Sequence, residues 1–315
     1  MTTPVALTIA GSDSSGGAGI QADLKTFAAL GVYGASAITA LTAQNTRGVT
    51  GIQAVPAEFV TAQIDAVFSD LDVGAVKIGM VAQVPSIDAI AAALSRWKPK
   101  HVVLDPVMVA TSGDRLLASE AVDALRTRLI PMASVITPNL PEAAALLDEE
   151  IALSEAEIES QGRRLLAAEA VEALREKLIP MASVITPNLP EAAALLDEPI
   201  ATSEAGIESQ GQRLLALGCR AVLIKGGHGE GAESTDYLVS VDGSLSLAAP
   251  RVATGNTHGT GCSLSSAVAA GLARGEALEL AVRNAKAWIS AAIAAADRFS
   301  VGHGHGPIHH FHRFY

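Results

Sequence analysis

The sequence contains a tandem repeat, and this repeat limits the possible folds more than any other feature. Residues 116–164 are followed at once by a second copy, residues 165–213. Asn139 recurs 49 residues later as Asn188, and only eight of the 49 aligned positions differ. Removing 49 of the 315 residues leaves 266, the size of one large α/β domain, whereas two copies are too few for a solenoid. We therefore expect a single domain over residues 1–315 with one surplus copy.

The differences between the copies gather at their junction and mostly favour helix. Ala168 and Glu172 in the second copy stand where the first copy has Ser119 and Asp123, and alanine and glutamate are the better helix formers. The pattern predicts one continuous helix over Ser154–Ile179 and indicates that the duplication was designed.

The repeat also offers two strands, Ser134–Thr137 and Ser183–Thr186, for one place in the sheet. The second copy continues through Gly218, a suitable helix C-cap, into the next strand. The entry into the first copy is equally natural. We favour the second copy, which would bring Asn188 rather than Asn139 to the functional site.

Short apolar runs alternate with helical patterns along the chain. This alternation predicts an α/β fold with a mostly parallel, doubly wound central sheet, helices on both faces, and ligands at the carboxyl ends of the strands. A hairpin is predicted over Asp236–Val241 and Ser246–Val252, around Asp242-Gly243. The runs are Val5–Ala10, Ala35–Ala43, Ala75–Ile78, His101–Leu104, Ser134–Thr137 and Ala221–Ile224.

The charge of the chain excludes several classes of partner. A formal net charge of −11 and a pI near 5.2 give no basic face for nucleic acid or for an anionic membrane. The sequence has no basic leader and no apolar run of membrane-spanning length. We expect a cytoplasmic protein with a small-molecule substrate, whose two cysteines, Cys219 and Cys262, are kept reduced.

A glycine-rich segment, Gly255–Cys262, precedes a predicted helix over Ser263–Leu272. Glycines allow close approach of the backbone, and a helix N-terminus favours an anion, so this segment could hold a phosphate in transfer. Cys262 lies in the first turn, where a thiolate would be favoured and could act as a base. The alternatives are an ordinary glycine turn and a small buried cysteine.

Two further segments carry candidate ligands. The loop Gly11–Asp23 lacks the lysine of a Walker loop and the spacing of a dinucleotide fold, and Asp23 is either a substrate ligand or a solvated charge. In Thr137–Glu142, the amide of Asn139 and the carboxylate of Glu142 could hold hydrated magnesium. Capping of a helix by the same two residues explains them more simply.

Together these segments resemble the hydroxymethylpyrimidine/phosphomethylpyrimidine kinases of thiamine biosynthesis, within the ribokinase-like superfamily. The tail, Val301 to His312, also looks like the ending of that family rather than a purification tag or a metal site. The other segments that carry the resemblance are Ala10–Phe27, Ala40–Gly48, Lys77–Met80, Val103–Asp114, Ile136–Asp148, Lys225–His228 and Asn256–Ser263.

The resemblance implies a set of functional residues. The aminopyrimidine would lie among Gly11, Asp23, Gln44, Met80 and Val107, with Gln44 and Asp23 binding its polar edge. The anion hole would be Gly259, Thr260, Gly261 and Cys262, with Cys262 where most related sugar kinases have an aspartate base. The nucleotide segment would include Lys225, Gly226 and Gly227 with Asn139 or Asn188, and the magnesium and phosphate region Asp105 with Glu142 or Glu191.

The resemblance further implies ATP and Mg²⁺ as cofactors, a homodimer, and two ATP-dependent phosphorylations, of hydroxymethylpyrimidine and then of its monophosphate. Two other readings stay open. Close relatives of this scaffold phosphorylate vitamin B6 alcohols, so the chain could be a pyridoxine or pyridoxal kinase. The duplication could instead mark an engineered conformational-switch scaffold with little activity.

Overall fold

The computed structural model describes residues 2–108, 119–137, 142, 179–181, 184–187, 189–225 and 233–315. They belong to two units, one formed by residues 1–133 with 252–315 and the other by residues 134–251. Whether both units fold as one domain, as the sequence analysis expects, stays a prediction. No helix in the described ranges is long and apolar enough to cross a membrane.

The first unit contains most of the predicted strand and helix alternation. Its strands are β1 (Val5–Ala10), β2 (Tyr33–Ile38), β3 (Ala40–Asn45), β4 (Gly48–Ala54), β5 (Val73–Ile78) and β6 (Val102–Leu104). Its helices are α1 (Gly19–Ala29), α2 (Ala57–Phe68), α3 (Val84–Trp97) and α4 (Ser119–Ala124), followed by a π-helical turn (Leu125–Leu129) and a 3₁₀ turn (Ile130–Met132).

A parallel sheet with the order β2-β1-β5-β6 forms the centre of this unit. All six residues of β1 are buried, which is typical of a strand covered by helices on both faces. β1 pairs in parallel with β2 on one side and with β5 on the other, and β5 pairs in parallel with β6. The predicted α/β class with a parallel central sheet is confirmed.

The predicted run Ala35–Ala43 is not one strand but parts of two. Thr39 separates β2 from β3 because its backbone N–H donates to the Ala10 carbonyl at 3.0 Å and its hydroxyl donates to the Met80 carbonyl at 2.8 Å. β3 then pairs with β4 as an antiparallel hairpin outside the main sheet. This hairpin was not predicted from the sequence.

The second unit contains the strands β7 (Val135–Ile136), β8 (Val184–Ile185), β9 (Ala221–Ile224), β10 (Glu233–Ser240) and β11 (Gly243–Pro250). Its α-helices are α5 (Leu189–Leu196) and α6 (Glu204–Leu215), and a 3₁₀ turn (Ile179–Met181) precedes β8. The strand order is β11-β10-β9-β8. β10 and β11 form the predicted hairpin, although the last pair is Ser240 with Gly243, so the turn is Val241-Asp242.

Both copies of the repeated strand are formed, as β7 and β8. The copy in the second repeat, β8, pairs in parallel with β9, and the N–H of Lys225 donates to the Pro187 carbonyl at 2.7 Å. The pairing of β8 with β9 is the one expected for the second copy, but β7 is formed as well, so the choice of the second copy as the native one stays a prediction. The predicted junction helix Ser154–Ile179 lies outside the described residues apart from its last residue, which belongs to a 3₁₀ turn.

Two helices near the end of the chain complete the first unit. They are α7 (Thr260–Ala273) and α8 (Leu278–Ala294), and a 3₁₀ turn (Ala296–Arg298) follows them. The predicted helix Ser263–Leu272 is confirmed and begins three residues earlier. From Ser265 to Leu272 every residue of α7 is buried, so this helix of small residues lies inside the unit, with its N-terminal turn at the loops described next.

Candidate active site

Loops from three strands of the first unit meet at the carboxyl edge of the sheet. The N–H of Gly11 donates to the Met80 carbonyl at 3.2 Å, and the N–H of Ser12 donates to the Ala40 carbonyl at 2.8 Å. A Cβ on Gly11 would lie 2.3 Å from the Cε of Met80, so a larger residue there would have to displace the end of the Met80 side chain. The structure therefore brings together Gly11 and Met80, two of the residues predicted to bind the substrate.

A buried ionic cluster, Lys77 with Asp23 and Asp105, lies beneath these loops. The Lys77 Nζ is 3.0 Å from the Asp23 Oδ1 and 3.6 Å from the Asp105 Oδ2, and the side chains of Lys77 and Asp23 have no exposed surface. The hydroxyls of Thr8 and Ser266 also donate to Asp23, each at 2.6 Å. This carboxylate is thus held by three side chains from β1, β5 and α7.

The charged groups of this ionic cluster shift one another's pKa values. Burial alone would lower the pKa of Lys77, but the negative charges beside it, Asp23 above all and then Asp105, outweigh burial and raise this pKa above its usual range. Burial raises the pKa of Asp105, and the nearby Asp23 adds to the increase, while Lys77 opposes it. The structure therefore favours a cationic Lys77 whose main counter-charge is Asp23.

The ionic cluster gives two predicted site residues other partners. Asp23 was expected to bind the pyrimidine, yet it is fully buried. Asp105 was expected near magnesium, but its carboxylate is 4% exposed, faces the cation of Lys77 and accepts from the Ser265 hydroxyl at 3.2 Å. In this structure the cation beside Asp105 is the ammonium group of Lys77. The predicted roles of Asp23 and Asp105 stay predictions.

Cys262 lies in the first turn of α7, as predicted, but the structure does not favour its thiolate. Burial raises the pKa of the thiol to about 12, and Asp105 and Asp23 add to the increase, while Lys77 and a backbone hydrogen bond at Gly19 lower it. The expectation of a favoured thiolate at this helix N-terminus is therefore wrong. Desolvation and two carboxylates outweigh the helix terminus.

The anion loop, Gly259–Cys262, has room for a ligand. Gly259 is the N-cap of α7 and has φ 78°, a left-handed conformation that favours glycine. A Cβ on Gly261 would meet no atom within 4 Å. The first N–H groups of a helix have no partner within the helix. The N–H of Thr260 donates to the Thr257 carbonyl at 3.2 Å, so the N–H groups of Gly261 and Cys262 are those of this turn that can donate to an anion in the open space.

The loop after β1 is organised by Asp13, which is 1% exposed. Its Oδ2 accepts from the N–H groups of Gly17 at 3.1 Å and Ala18 at 2.8 Å and lies 3.0 Å from the His258 Nε2. Burial alone would raise the pKa of Asp13, but hydrogen bonds from His258, Ser15 and Ala18 lower it to about 2. Asp13 is therefore ionised at neutral pH.

Comparison with known sequences decides the family. A sequence model of the family described as phosphomethylpyrimidine kinase matches residues 13–166 and again residues 156–309. The hydroxymethylpyrimidine/phosphomethylpyrimidine kinase of Rhizobium meliloti is 51% identical over 313 residues, 99% of each chain. The enzyme of the same name from Escherichia coli is 47% identical over 310 residues, 98% of each chain. The chain belongs to the phosphomethylpyrimidine kinase family.

Solved structures agree with this assignment. A Clostridium difficile phosphomethylpyrimidine kinase has a TM-score of 0.56 and 37% identity, with 92% of this chain and 99% of that chain covered. An ADP complex of Bacillus subtilis pyridoxal kinase has a TM-score of 0.64 and 31% identity, with both chains fully covered. The predicted family and ribokinase-like fold are confirmed.

Within this kinase fold, the remaining predicted substrate residues lie at the same edge. The Oε1 of Gln44 accepts from the Thr42 hydroxyl at 3.1 Å, and the Gln44 N–H donates to the Ser14 hydroxyl at 2.8 Å. Val107 is half-buried, and its N–H donates to the Asp105 carbonyl at 2.8 Å. Their roles in substrate binding stay predictions.

The predicted nucleotide residues belong mainly to the second unit. Lys225 is half-buried directly after β9, whereas Gly226, Gly227, Asn139 and Asn188 lie outside the described residues. Glu142 is 5% exposed, and the side chain of Glu191 is not described. Among the described residues there is no group of three or more side chains that could hold a metal ion, so the magnesium set stays a prediction.

Sequence reasoning missed three residues of this site: Lys77, Asp13 and His258. All three lie in segments that carried the family resemblance, but none was given a role. The signal for Lys77 was a lone charge in the apolar strand Val73–Ile78, because a charge in a strand buried on both faces needs counter-charges. Asp13 and His258 are 245 positions apart, and no local pattern links them.

We expect the variant Lys77→Met to lose about 3–5 kcal/mol of unfolding free energy, because it leaves buried carboxylates without their cation. Urea denaturation at neutral pH measures this loss. The control is Arg126→Met, which breaks the ion pair with Asp123, where the two side chains are 42% and 68% exposed. That loss should stay below about 1 kcal/mol. Equal losses in the two variants would contradict the central role of Lys77.

Proposed function

We propose that the chain transfers a phosphoryl group from ATP to 4-amino-5-hydroxymethyl-2-methylpyrimidine, and then to the monophosphate, in thiamine biosynthesis. One observation carries the proposal. The anion loop Gly259–Cys262 opens onto free space at Gly261, in a chain that is 51% identical to a curated kinase named for both steps. The helix N-terminus supplies N–H donors for a phosphoryl group, and Cys262 is the group beside them that could accept a proton.

ATP is the phosphoryl donor that the relatives support. Staphylococcus aureus pyridoxal kinase, 26% identical and with a TM-score of 0.66, is known in complex with the ATP analogue AMP-PCP. We propose that ATP arrives with Mg²⁺, which would neutralise charge on the triphosphate. The contact between Lys77 and the Asp105 carboxylate argues against Asp105 as a ligand of this Mg²⁺ ion. Lys225, which follows β9, is proposed to contact the nucleotide, as the family resemblance implies.

In the proposed reaction, the substrate hydroxyl oxygen forms a bond to the γ-phosphorus while the bond from that phosphorus to the β,γ-bridging oxygen breaks and ADP leaves. The N–H groups of the anion loop stabilise the negative charge on the transferred group. The hydroxyl proton passes to the thiolate form of Cys262, which is the minor form at neutral pH because the pKa is about 12, and this transfer gives the neutral thiol. The positive charge of Lys77 lowers the pKa of the Cys262 thiol. Lys77 therefore stabilises the thiolate, which is the form that accepts the proton.

The substrate is tested by steady-state kinetics of the purified chain with ATP. We expect kcat/KM for hydroxymethylpyrimidine to exceed that for pyridoxine. A specific observation favours the alternative: the Bacillus subtilis pyridoxal kinase superposes with a higher TM-score, 0.64, than the Clostridium difficile phosphomethylpyrimidine kinase, 0.56. A preference for pyridoxine would overturn the pyrimidine assignment, and turnover of neither substrate would support the inactive-scaffold reading.

The role of Cys262 is tested by the pH dependence of kcat/KM, which reports groups of the free enzyme. Because the pKa of this thiol is about 12, the thiolate fraction rises with pH throughout the accessible range. We expect kcat/KM to rise about tenfold per pH unit between about pH 7 and 9, without a plateau.

The variant Cys262→Ala should lose about 100-fold or more of kcat/KM and also lose this pH dependence. The matched control is Cys219→Ala, which removes a buried thiol from the second unit and should keep the wild-type slope. A wild-type plateau near neutral pH, or an unchanged slope in Cys262→Ala, would contradict the role of this cysteine as the base.

We also propose that the chain forms a homodimer through the β3–β4 hairpin. An isolated two-stranded sheet is marginal in water, and one face of this hairpin carries Leu41, which is 50% exposed. A second copy of the chain could cover this side chain.

Light scattering after size exclusion should give about twice the 32.2 kDa of one chain. Leu41→Glu should give monomers, because the interface would bury a charge. The control Val241→Glu lies on the β10–β11 turn, where Val241 is 78% exposed, and should remain dimeric. A monomeric wild type would contradict this interface.

A further inference from the structure

We propose that Asp13 and His258 are positioning residues for phosphoryl transfer, because their hydrogen bond fastens the loop after β1 to the anion loop. This contact, Asp13 Oδ2 with His258 Nε2, is called the clasp below. The inference rests on the proposed function, since it assumes that Gly259–Cys262 receives the transferred group. Neither residue is proposed to touch the substrate.

The two oxygens of Asp13 have separate tasks. Oδ1 accepts from the N–H and the hydroxyl of Ser15, at 2.8 and 2.7 Å, and so shapes the turn locally. Oδ2 accepts from the N–H groups of Gly17 and Ala18 and meets the His258 ring at 3.0 Å. One oxygen therefore joins the end of the first loop to a residue 245 positions away.

The direction of the clasp follows from the charge of Asp13. An ionised carboxylate can only accept hydrogen bonds, so the Nε2 of His258 must donate. The His258 ring is 6% exposed, and its backbone N–H donates to the Gly306 carbonyl at 3.0 Å. The residue is thus fixed at both its ring and its backbone, and the next residue along the chain is the first of the anion loop.

Close packing leaves little freedom between the two loops. A Cβ on Gly17 would lie 2.3 Å from the His258 Cδ2, and a Cβ on Gly259 would lie 1.9 Å from the Gly17 carbonyl oxygen. Both contacts require glycine. Because the loops touch backbone to backbone, a shift of the first loop must also displace Gly259 and the start of α7, where Cys262 lies.

The kinetic test uses Asp13→Asn, His258→Ala and His258→Gln. Misplacement of reacting groups by about 1 Å can cost about 100-fold in rate, so we expect Asp13→Asn and His258→Ala to lose about 100-fold in kcat with little change in KM. His258→Gln retains an N–H donor near the position of Nε2 and should recover part of this loss. Circular dichroism confirms that each variant is folded at the assay temperature.

Two further variants separate positioning from general stability. In Asp13→Asn/His258→Ala the losses should not add, because both changes break the same contact. The matched control is Ser15→Ala, which removes a hydroxyl from Oδ1 but leaves Oδ2 and the clasp intact, and it should keep the wild-type kcat. Wild-type kcat in Asp13→Asn, or additive losses in the double variant, would overturn the proposal.

Amide hydrogen exchange tests the clasp without turnover. The amides of His258 and Thr260 are hydrogen-bonded in the folded chain, and both should exchange faster in Asp13→Asn and in His258→Ala, but not in Ser15→Ala. If the wild type phosphorylates neither substrate, the proposed function is wrong, while the exchange data still decide whether the clasp holds the loops. Unchanged exchange at His258 and Thr260 in Asp13→Asn would show that it does not.

Discussion

The buried contact between Lys77 and Asp23 joins elements that are far apart in the sequence. Lys77 lies on β5, in the middle of the parallel sheet, and Asp23 lies on α1, with 54 positions between them. Thr8 on β1 and Ser266 on α7 donate to the same carboxylate. A buried charge is costly unless it is paired and hydrogen-bonded, so these elements must keep one arrangement. The loops that form the candidate site begin at the ends of these same elements.

Much of the fold could be predicted because its strands are continuous apolar runs. β1 and β9 begin and end at the predicted residues, since a strand covered on both faces needs no polar alternation. The predicted run Ala35–Ala43 failed because its division at Thr39 depends on carbonyls of Ala10 and Met80, which are distant in sequence. A run of apolar residues does not show where tertiary hydrogen bonds will divide it.

The site could be predicted only where the residues that form it, and the physical reason for their positions, lie within one segment of the sequence. The glycines before α7 and the position of Cys262 follow from local sequence, and the structure has both. Asp23 was assigned to the substrate through the family resemblance, and its position alone left a solvated charge open, whereas the structure buries it against partners on other elements. The same limit hid Lys77 and the pair Asp13 and His258, whose importance appears only when distant segments are brought together.

The chemistry of Cys262 depends on which electrostatic effect is larger. A helix N-terminus contributes about 0.3–1 kcal/mol at an exposed site and up to about 2 kcal/mol when partly buried. One pKa unit corresponds to about 1.4 kcal/mol, and the shift from 9.0 to about 12 exceeds what that terminus could offset. The positive charge of Lys77 lowers the pKa of Cys262, and the negative charge of Asp23 raises it and so partly cancels the effect of Lys77. The buried lysine therefore serves both as a fixed point of the fold and as the charge that limits how strongly the thiol holds its proton.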